Sequence, residues 1–222
     1  MQVALLGGTG DIGEGLALRL AYDTNHDIVV GSRTFEKAET KAEEYETELA
    51  SRGVDVRIGY AENPDAADGA DVVVLSVPAY HLADTVDSVA DRLDDGAIVV
   101  SPAVGMQRDD AGMHYNRPAA GSVTQLADEA APNHSRVVGA YHNLAAGRLA
   151  NLDADIEADV PIVGDDEDAV DIVAELTAGI DGLRPLRAGG LANAAEIEAL
   201  TPLLINLAAN NEGMHDLGVR FQ

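Results

Sequence analysis

The sequence predicts an α/β protein: a doubly wound, mostly parallel sheet with a small C-terminal α/β appendage. Three observations predict it. Short apolar runs alternate with segments of helical period along most of the 222 residues. Several runs, such as 70–77 and 97–100, carry apolar residues at consecutive positions, so both of their faces must be covered. The first run, 2–6, passes into Gly7-Gly8-Thr9-Gly10 and then into a helical pattern, the strand–turn–helix order of a Rossmann-type unit.

The elements follow in order. Residues 2–6 form a strand, and 11–21 a helix with Ile12, Leu16 and Leu20 on one face. A second buried strand, 28–30, closes at Gly31, and 34–50 is a Glu-rich helix with Thr34 as its N-cap and Lys37 and Lys41 on one side. The alternation of 54–58 predicts a strand, as does the run 70–77, which stops at Pro78. A helix over 80–93 leads to a strand at 97–100. Residues 101–118, with Pro102, Gly105, Gly112 and Pro118, read as an irregular stretch. A helix at 119–130 and a strand at 136–140 complete the first part. The rest is less regular: a strand at 160–163, an acidic helix at 166–179, a turn and strand at 181–186, and an apolar helix at 191–210. A boundary in 150–158 separates an expected nucleotide-binding domain, 1–152, from a smaller domain, 153–222. No internal repeat is present.

Composition narrows the function. Apolar residues make up 46% of the chain, enough for a packed core. No run of 18 apolar residues and no basic, cleavable N-terminal segment is present, so membrane spans and export are not expected. The absence of cysteine excludes disulfides, thiol catalysis and Cys-based metal centres. A net charge of −25 argues against nucleic acid as a partner. Residues 1–150 hold 24 acids and 11 bases, and residues 151–222 hold 15 acids and 3 bases, so the charge is spread over the whole surface. Lysine occurs only at 37 and 41. A foldable chain this acidic and lysine-poor reads as a cytoplasmic protein adapted to molar salt, where the screening length falls to about 3 Å.

The chemistry begins at Gly8-Thr9-Gly10-Asp11-Ile12-Gly13, a G-x-G-x-x-G in the required strand-to-helix setting. The helix N-terminus offers free N–H groups to a pyrophosphate. An acid that would hold an NAD ribose is missing from the end of the second strand, because Asp27 begins that strand. The strand instead ends Gly31-Ser32-Arg33, and Lys37 follows one turn later. A hydroxyl, a guanidinium and an ammonium at this point suit the 2′-phosphate of NADP. No metal-ligating set is evident. The chain beyond residue 41 has no lysine to serve as the catalytic base of β-hydroxyacid dehydrogenases. Among six histidines, His142 is the best placed for chemistry, following a buried strand, although a structural role is its simpler reading. No acid–base pair for hydroxyl oxidation stands out, which fits a reaction between two redox cofactors.

The segments MQVALLGGTGDIGEGLALRLA, IVVGSR, VVVLSVP, IVVSPAVG, VPIVGDDEDA, IDGLRPLRAGGL, LTPLLIN and LGVRF together make the chain resemble the NADPH-dependent reductases of coenzyme F420, the deazaflavin:NADP oxidoreductases of archaea and some actinobacteria. The resemblance runs over the whole length, and its C-terminal segments are its most particular. It implies NADP(H) and coenzyme F420 as the two coenzymes, with hydride passing directly between nicotinamide C4 and deazaflavin C5. It implies that Thr9, Gly10, Asp11 and Ile12 line the pyrophosphate and ribose, and Ser32, Arg33 and Lys37 the 2′-phosphate. Ala79, Ala83 and Met106 would border the cofactor, and Ala146 and Leu217 would flank the nicotinamide. Arg148 either meets the anionic tail of the deazaflavin or pairs with a surface acid. The chain departs from the family at Gly105 and Ala145, where proline is common, which puts the loop shapes there in question. Two alternatives stay open: another NADPH-dependent reductase, of imines or metal ions, and a non-catalytic NADPH sensor. The helix at 191–210 either covers the cleft or forms an interface, a homodimer being the expectation.

Overall fold

In a computed structural model that describes residues 1–222, the strands in chain order are β1 (Gln2–Leu6), β2 (Asp27–Ser32), β3 (Gly59–Glu62), β4 (Val72–Leu75), β5 (Ile98–Ser101), β6 (Met106–Asp109), β7 (Gly112–Tyr115), β8 (Arg136–Gly139), β9 (Ala158–Gly164) and β10 (Leu183–Arg187). The helices are α1 (Asp11–Asp23), α2 (Phe35–Ser51), α3 (Asn63–Ala67), α4 (Leu82–Val89), α5 (Val123–Ala130), α6 (Ala146–Ala150), α7 (Glu167–Ala178), α8 (Ala194–Glu198) and α9 (Leu200–Asn210). Eight strands form one sheet in the order β10-β9-β8-β5-β4-β1-β2-β3. Every neighbouring pair is parallel except β8 and β9. The carboxyl ends of β1, β2, β4, β5 and β8 therefore share one edge, where ligands bind in such sheets.

Strand alternation divides the core into two layers. Val3, Leu5, Val72, Val74, Ile98 and Val100 face one way, onto Leu16, Leu20, Tyr45, Leu49 and Val173 of α1, α2 and α7. Ala4, Leu6, Val73, Leu75 and Val99 face the other way, onto Ala66, Leu82, Val86, Val123 and Ala127 of α3, α4 and α5. Both layers are apolar, which is why these strands lack a polar face. The expected boundary at 152/153 falls between α6 and β9, and β9 and β10 extend the same sheet. No helix is long and apolar enough to cross a membrane.

Five stretches differ from expectation. The alternation of 54–58 marks partial burial, but Ile58 donates its N–H to Glu46 Oε1 (2.9 Å), and pairing to β2 starts only at Gly59. The irregular stretch 101–118 contains an antiparallel hairpin, β6–β7. Its turn is held by Asp109 Oδ1, which accepts from Ala111 N (2.8 Å). Its second strand is clamped from afar by Asn206, which accepts from Met113 N and donates to Met113 O. The helix at 191–210 is broken into a 3₁₀ turn, α8 and α9; Pro202 has no N–H for the Glu198 carbonyl, so the helix restarts at Leu200. The helices at 80–93 and 119–130 are shorter than their patterns. The first has 3₁₀ ends, and the second starts only after Ser122, whose hydroxyl accepts from Gln125 N.

Candidate functional site

The glycine segment leaves β1 through Gly7, whose φ of +75° only glycine adopts readily. A Cβ on Gly8 would lie 2.7 Å from Leu5 O, and one on Gly13 would lie 2.6 Å from Gly8 Cα. These two glycines serve the fold. Gly10 differs: its nearest neighbour would be 3.4 Å away, an ordinary contact, so the space beside it is open to a ligand. Gly10 is also the N-cap of α1 and offers no side-chain cap. The first intrahelical bond runs from Glu14 N to Gly10 O (2.8 Å), leaving the preceding N–H groups for an anion.

Three side chains fix this segment from behind. Tyr45 Oη donates to Gly8 O (2.9 Å), Ser76 Oγ donates to Leu6 O (2.8 Å), and Asn63 Oδ1 accepts from Gly7 N (3.4 Å). Burial and the Glu14 carboxylate push the Tyr45 hydroxyl well above its usual range, so it stays a donor. None of the three stood out in the sequence, because a buttress has no spacing signature.

At the end of β2, Ser32 is buried, while Arg33 and Lys37 are exposed. Most cations of this acidic chain pair with carboxylates: Lys41, Arg52, Arg57, Arg92, Arg136, Arg184, Arg187 and Arg220 all do. Arg19, Arg117 and Arg148 bond backbone carbonyls instead, and Arg33, Lys37 and Arg108 pair with no carboxylate; of these, Arg33 and Lys37 stand one helical turn apart at the carboxyl end of β2. Thr34 is the N-cap of α2 in position, but its hydroxyl makes no capping bond. Ala79, in a 3₁₀ turn after Pro78, and Ala83, in α4, are half-buried; Met106 is exposed on β6.

A separate cavity of about 280 Å³ lies beyond β8. His142, Asn143, Leu144, Ala145 and Ala146 form one wall, Thr201, Leu204, Ile205 and Ala208 of α9 another, and Asp216 and Leu217 the third. Among the residues expected at a site, it brings together His142, Ala146 and Leu217. Thr9, Gly10, Asp11, Ile12, Ser32, Arg33, Lys37, Ala79, Ala83 and Met106 lie outside its lining. Helix α1 joins the two regions. Gly15 admits Leu149 of α6 so closely that a Cβ there would collide with it. Buried Arg19 donates to the carbonyls of Leu149 (3.0 Å), Asn151 (2.7 Å) and Ala154 (2.8 Å).

His142 is buried to 3% exposure, and burial depresses its pKa to about 3, so the ring is neutral. Its partner is Thr124 Oγ1, 3.3 Å from Nε2. The Thr124 hydroxyl lies 3.0 Å from Glu198 Oε1 and donates to it. Nε2 therefore donates to Thr124, and Nδ1, buried without a partner, carries the lone pair. Preceding Tyr141 has φ +68°, an unusual backbone for a bulky residue, held by packing and by its hydroxyl contact with Thr177 (3.0 Å). No group of three or more His, Asp and Glu side chains is arranged to hold a metal ion.

The two departures at 105 and 145 differ in kind. A Cβ on Gly105 would collide with Asn116 O, so the hairpin as folded needs glycine there. Ala145, N-cap of α6 with φ −79°, has a backbone that proline could share. Arg148 donates to the Asp155 carbonyl (3.3 Å) and has no carboxylate partner.

Comparison with known proteins gives a consistent outcome. Residues 2–105 match the family model of coenzyme F420-dependent NADP oxidoreductases. The chain is 40% identical over 209 residues to the F420-dependent NADP reductase of Methanocaldococcus jannaschii, covering 93% of this chain and 92% of that protein. It is 37% identical to the F420-dependent NADP reductase of Methanothermobacter thermautotrophicus, over 99% of this chain and 94% of that one. Among solved structures, a putative F420-dependent NADP reductase from Arthrobacter sp. FB24 superposes with a TM-score of 0.81, covering 100% of this chain and 99% of the other. At 22% identity that likeness establishes the fold.

Proposed function

The chain belongs to the family of F420-dependent NADP reductases, and from that membership we propose which of its residues carry the reaction. The protein is an oxidoreductase acting on NADP(H) and coenzyme F420. The two coenzymes supply the chemistry, a direct hydride transfer between nicotinamide C4 and deazaflavin C5. The chain's task is to seat and orient them, which is worth several orders of magnitude in rate when the reacting atoms are held in line.

Thr9, Gly10, Asp11 and Ile12 bring the uncapped end of α1 to the pyrophosphate. Ser32, Arg33 and Lys37 take the 2′-phosphate. The observation that carries this assignment is that two cations, Arg33 and Lys37, stand together without a carboxylate partner at the carboxyl end of β2, on a chain bearing 39 acids. Ala79, Ala83 and Met106 border the dinucleotide, and Ala146 and Leu217 flank the nicotinamide in the cavity. His142 is neutral and buried, its Nε2 proton held by Thr124, so it supplies no acid, in keeping with a transfer that needs none. Residues 1–152 form the nucleotide-binding unit, and residues 153–222 close the cleft.

A homodimer belongs to the same reading. Helix α9 is the most apolar helix, yet Pro202 is its one buried residue, and Leu203 and Leu207 are 52% and 42% exposed. The even spread of acid supports a cytoplasmic protein working at high salt.

The test is spectrophotometric. With NADPH in molar KCl, the protein should bleach the deazaflavin absorbance of oxidised F420. Folded, NADPH-binding protein that leaves F420 unbleached would refute the reading.

A further inference from the structure

The carboxylate of Asp159 has no exposure, although it stands on β9 between the apolar residues Ala158 and Val160. A buried charge is costly unless it is fully paired, and a β-branched residue would fill the strand as well. Arg184 is its register partner on β10 and meets it with a two-pronged fork, Nε to Oδ1 and Nη2 to Oδ2, each 2.7 Å. The fork holds the Asp159 carboxyl below the usual range.

The pair does more than join two strands. Asp159 N donates to Val219 O (2.7 Å), Asp159 Oδ2 accepts from Phe221 N (2.5 Å), and Arg184 Nη2 donates to Phe221 O (2.6 Å). Residues 219–221 are thus strapped to β9 and β10 by backbone bonds to these two residues. Immediately before the strap, Asp216 turns the chain with φ +48°, and Leu217 enters the cavity wall. Neither Asp159 nor Arg184 lines the cavity.

We propose that Asp159 and Arg184 are positioning residues for the hydride-transfer cavity: they anchor residues 219–221 and so hold Leu217 beside the nicotinamide, where it shapes the face on which the deazaflavin stacks. This rests on the reading of the cavity as the site where deazaflavin meets nicotinamide. NADPH is anchored mainly by its phosphates at α1 and Arg33, so the strap bears chiefly on the deazaflavin.

The experiment compares Asp159→Asn, Leu217→Ala and their double variant, with Arg184→Met as a second way to cut the strap from a side chain that is half exposed. Hydrogen exchange of the amides of residues 217–221 is measured on each, alongside steady-state kinetics. Asp159→Asn and Arg184→Met should speed tail exchange at least about tenfold while core amides stay protected. Each should raise KM for F420 about fivefold or more and leave KM for NADPH within about twofold. In the Leu217→Ala background Asp159→Asn should add less than about twofold, because both changes remove the same wall. Should Asp159→Asn fail to fold, Arg184→Met carries the same comparison. Unchanged tail exchange, or effects of the two changes that multiply independently, would overturn the proposal. The exchange readout needs no turnover, so a wild-type protein that fails to reduce F420 refutes the functional reading without deciding the strap.

Discussion

Glu198 Oε1 accepts both the backbone N–H (2.9 Å) and the hydroxyl (3.0 Å) of Thr124, from a carboxylate with no solvent exposure. Its other oxygen accepts from Val123 N (3.0 Å) and Tyr115 Oη (2.8 Å). One side chain of α8 thereby satisfies the N-terminus of α5, fixes the β6–β7 hairpin and, through Thr124, sets the tautomer of His142. Replacing it with glutamine places an NH₂ or a weaker acceptor before the same donors. Glu198→Gln should lower the unfolding free energy by about 2–3 kcal/mol, since bonds to a buried charge are the strong ones. Denaturant midpoints at unchanged slope measure this, and a shift worth under about 0.5 kcal/mol would show that the carboxylate is dispensable.

The cationic pair at the end of β2 predicts cofactor choice. Arg33→Ala should raise KM for NADPH at least about tenfold, the worth of one charge-assisted bond, and leave KM for NADH nearly unchanged. Equal losses for both nucleotides would mean that Arg33 does not read the 2′-phosphate.

These cations were legible in the sequence because motif and spacing place them: a strand, a glycine turn, a helix and a following strand put Ser32, Arg33 and Lys37 at one edge. The strand alternation that builds the two core layers was equally legible. The Asp159 strap and the Glu198 capping cluster were not. Each joins residues far apart in the chain through side-chain hydrogen bonds, and no local period marks a side chain whose partner lies 74 positions away, as Thr124 lies from Glu198. The hairpin at 106–115 leaves no local signal for a similar reason, since β6 is exposed throughout and β7 is held by Asn206.

His142 makes stability depend on pH in a definite direction. Its native pKa lies near 3, below the ordinary value of 6.5. As pH falls below 6.5 the unfolded chain binds a proton that the native ring refuses, so stability is lost, by up to about 1.4 kcal/mol per pH unit until the native value is reached. Above 6.5 this group contributes no slope. Unfolding measured at pH 7.5 and 5.5 in molar KCl should show a steeper loss for the wild type than for His142→Asn. Equal slopes would contradict a buried neutral ring.

The apolar face of α9 predicts assembly. Leu203→Glu with Leu207→Glu should convert a dimer to a monomer in light scattering at high salt, with circular dichroism unchanged. A wild-type protein that is monomeric at every concentration would remove the dimer from the account.

Salt should act on binding as well as on folding. The mean field of a protein with net charge −25 opposes anionic coenzymes, so NADPH affinity should rise from low to molar KCl as repulsion is screened. A steady fall in affinity, in protein that stays folded throughout, would contradict this.

The central claim is that hydride passes directly from nicotinamide to deazaflavin within this chain. NADPH carrying deuterium at both C4 positions tests it most directly, with oxidised F420 as acceptor in molar KCl. Direct transfer gives reduced F420 one mass unit heavier than the product from unlabelled NADPH, the deuterium retained at C5. Reduced F420 bearing hydrogen from the solvent, or no reduction by folded protein that binds NADPH, would contradict it.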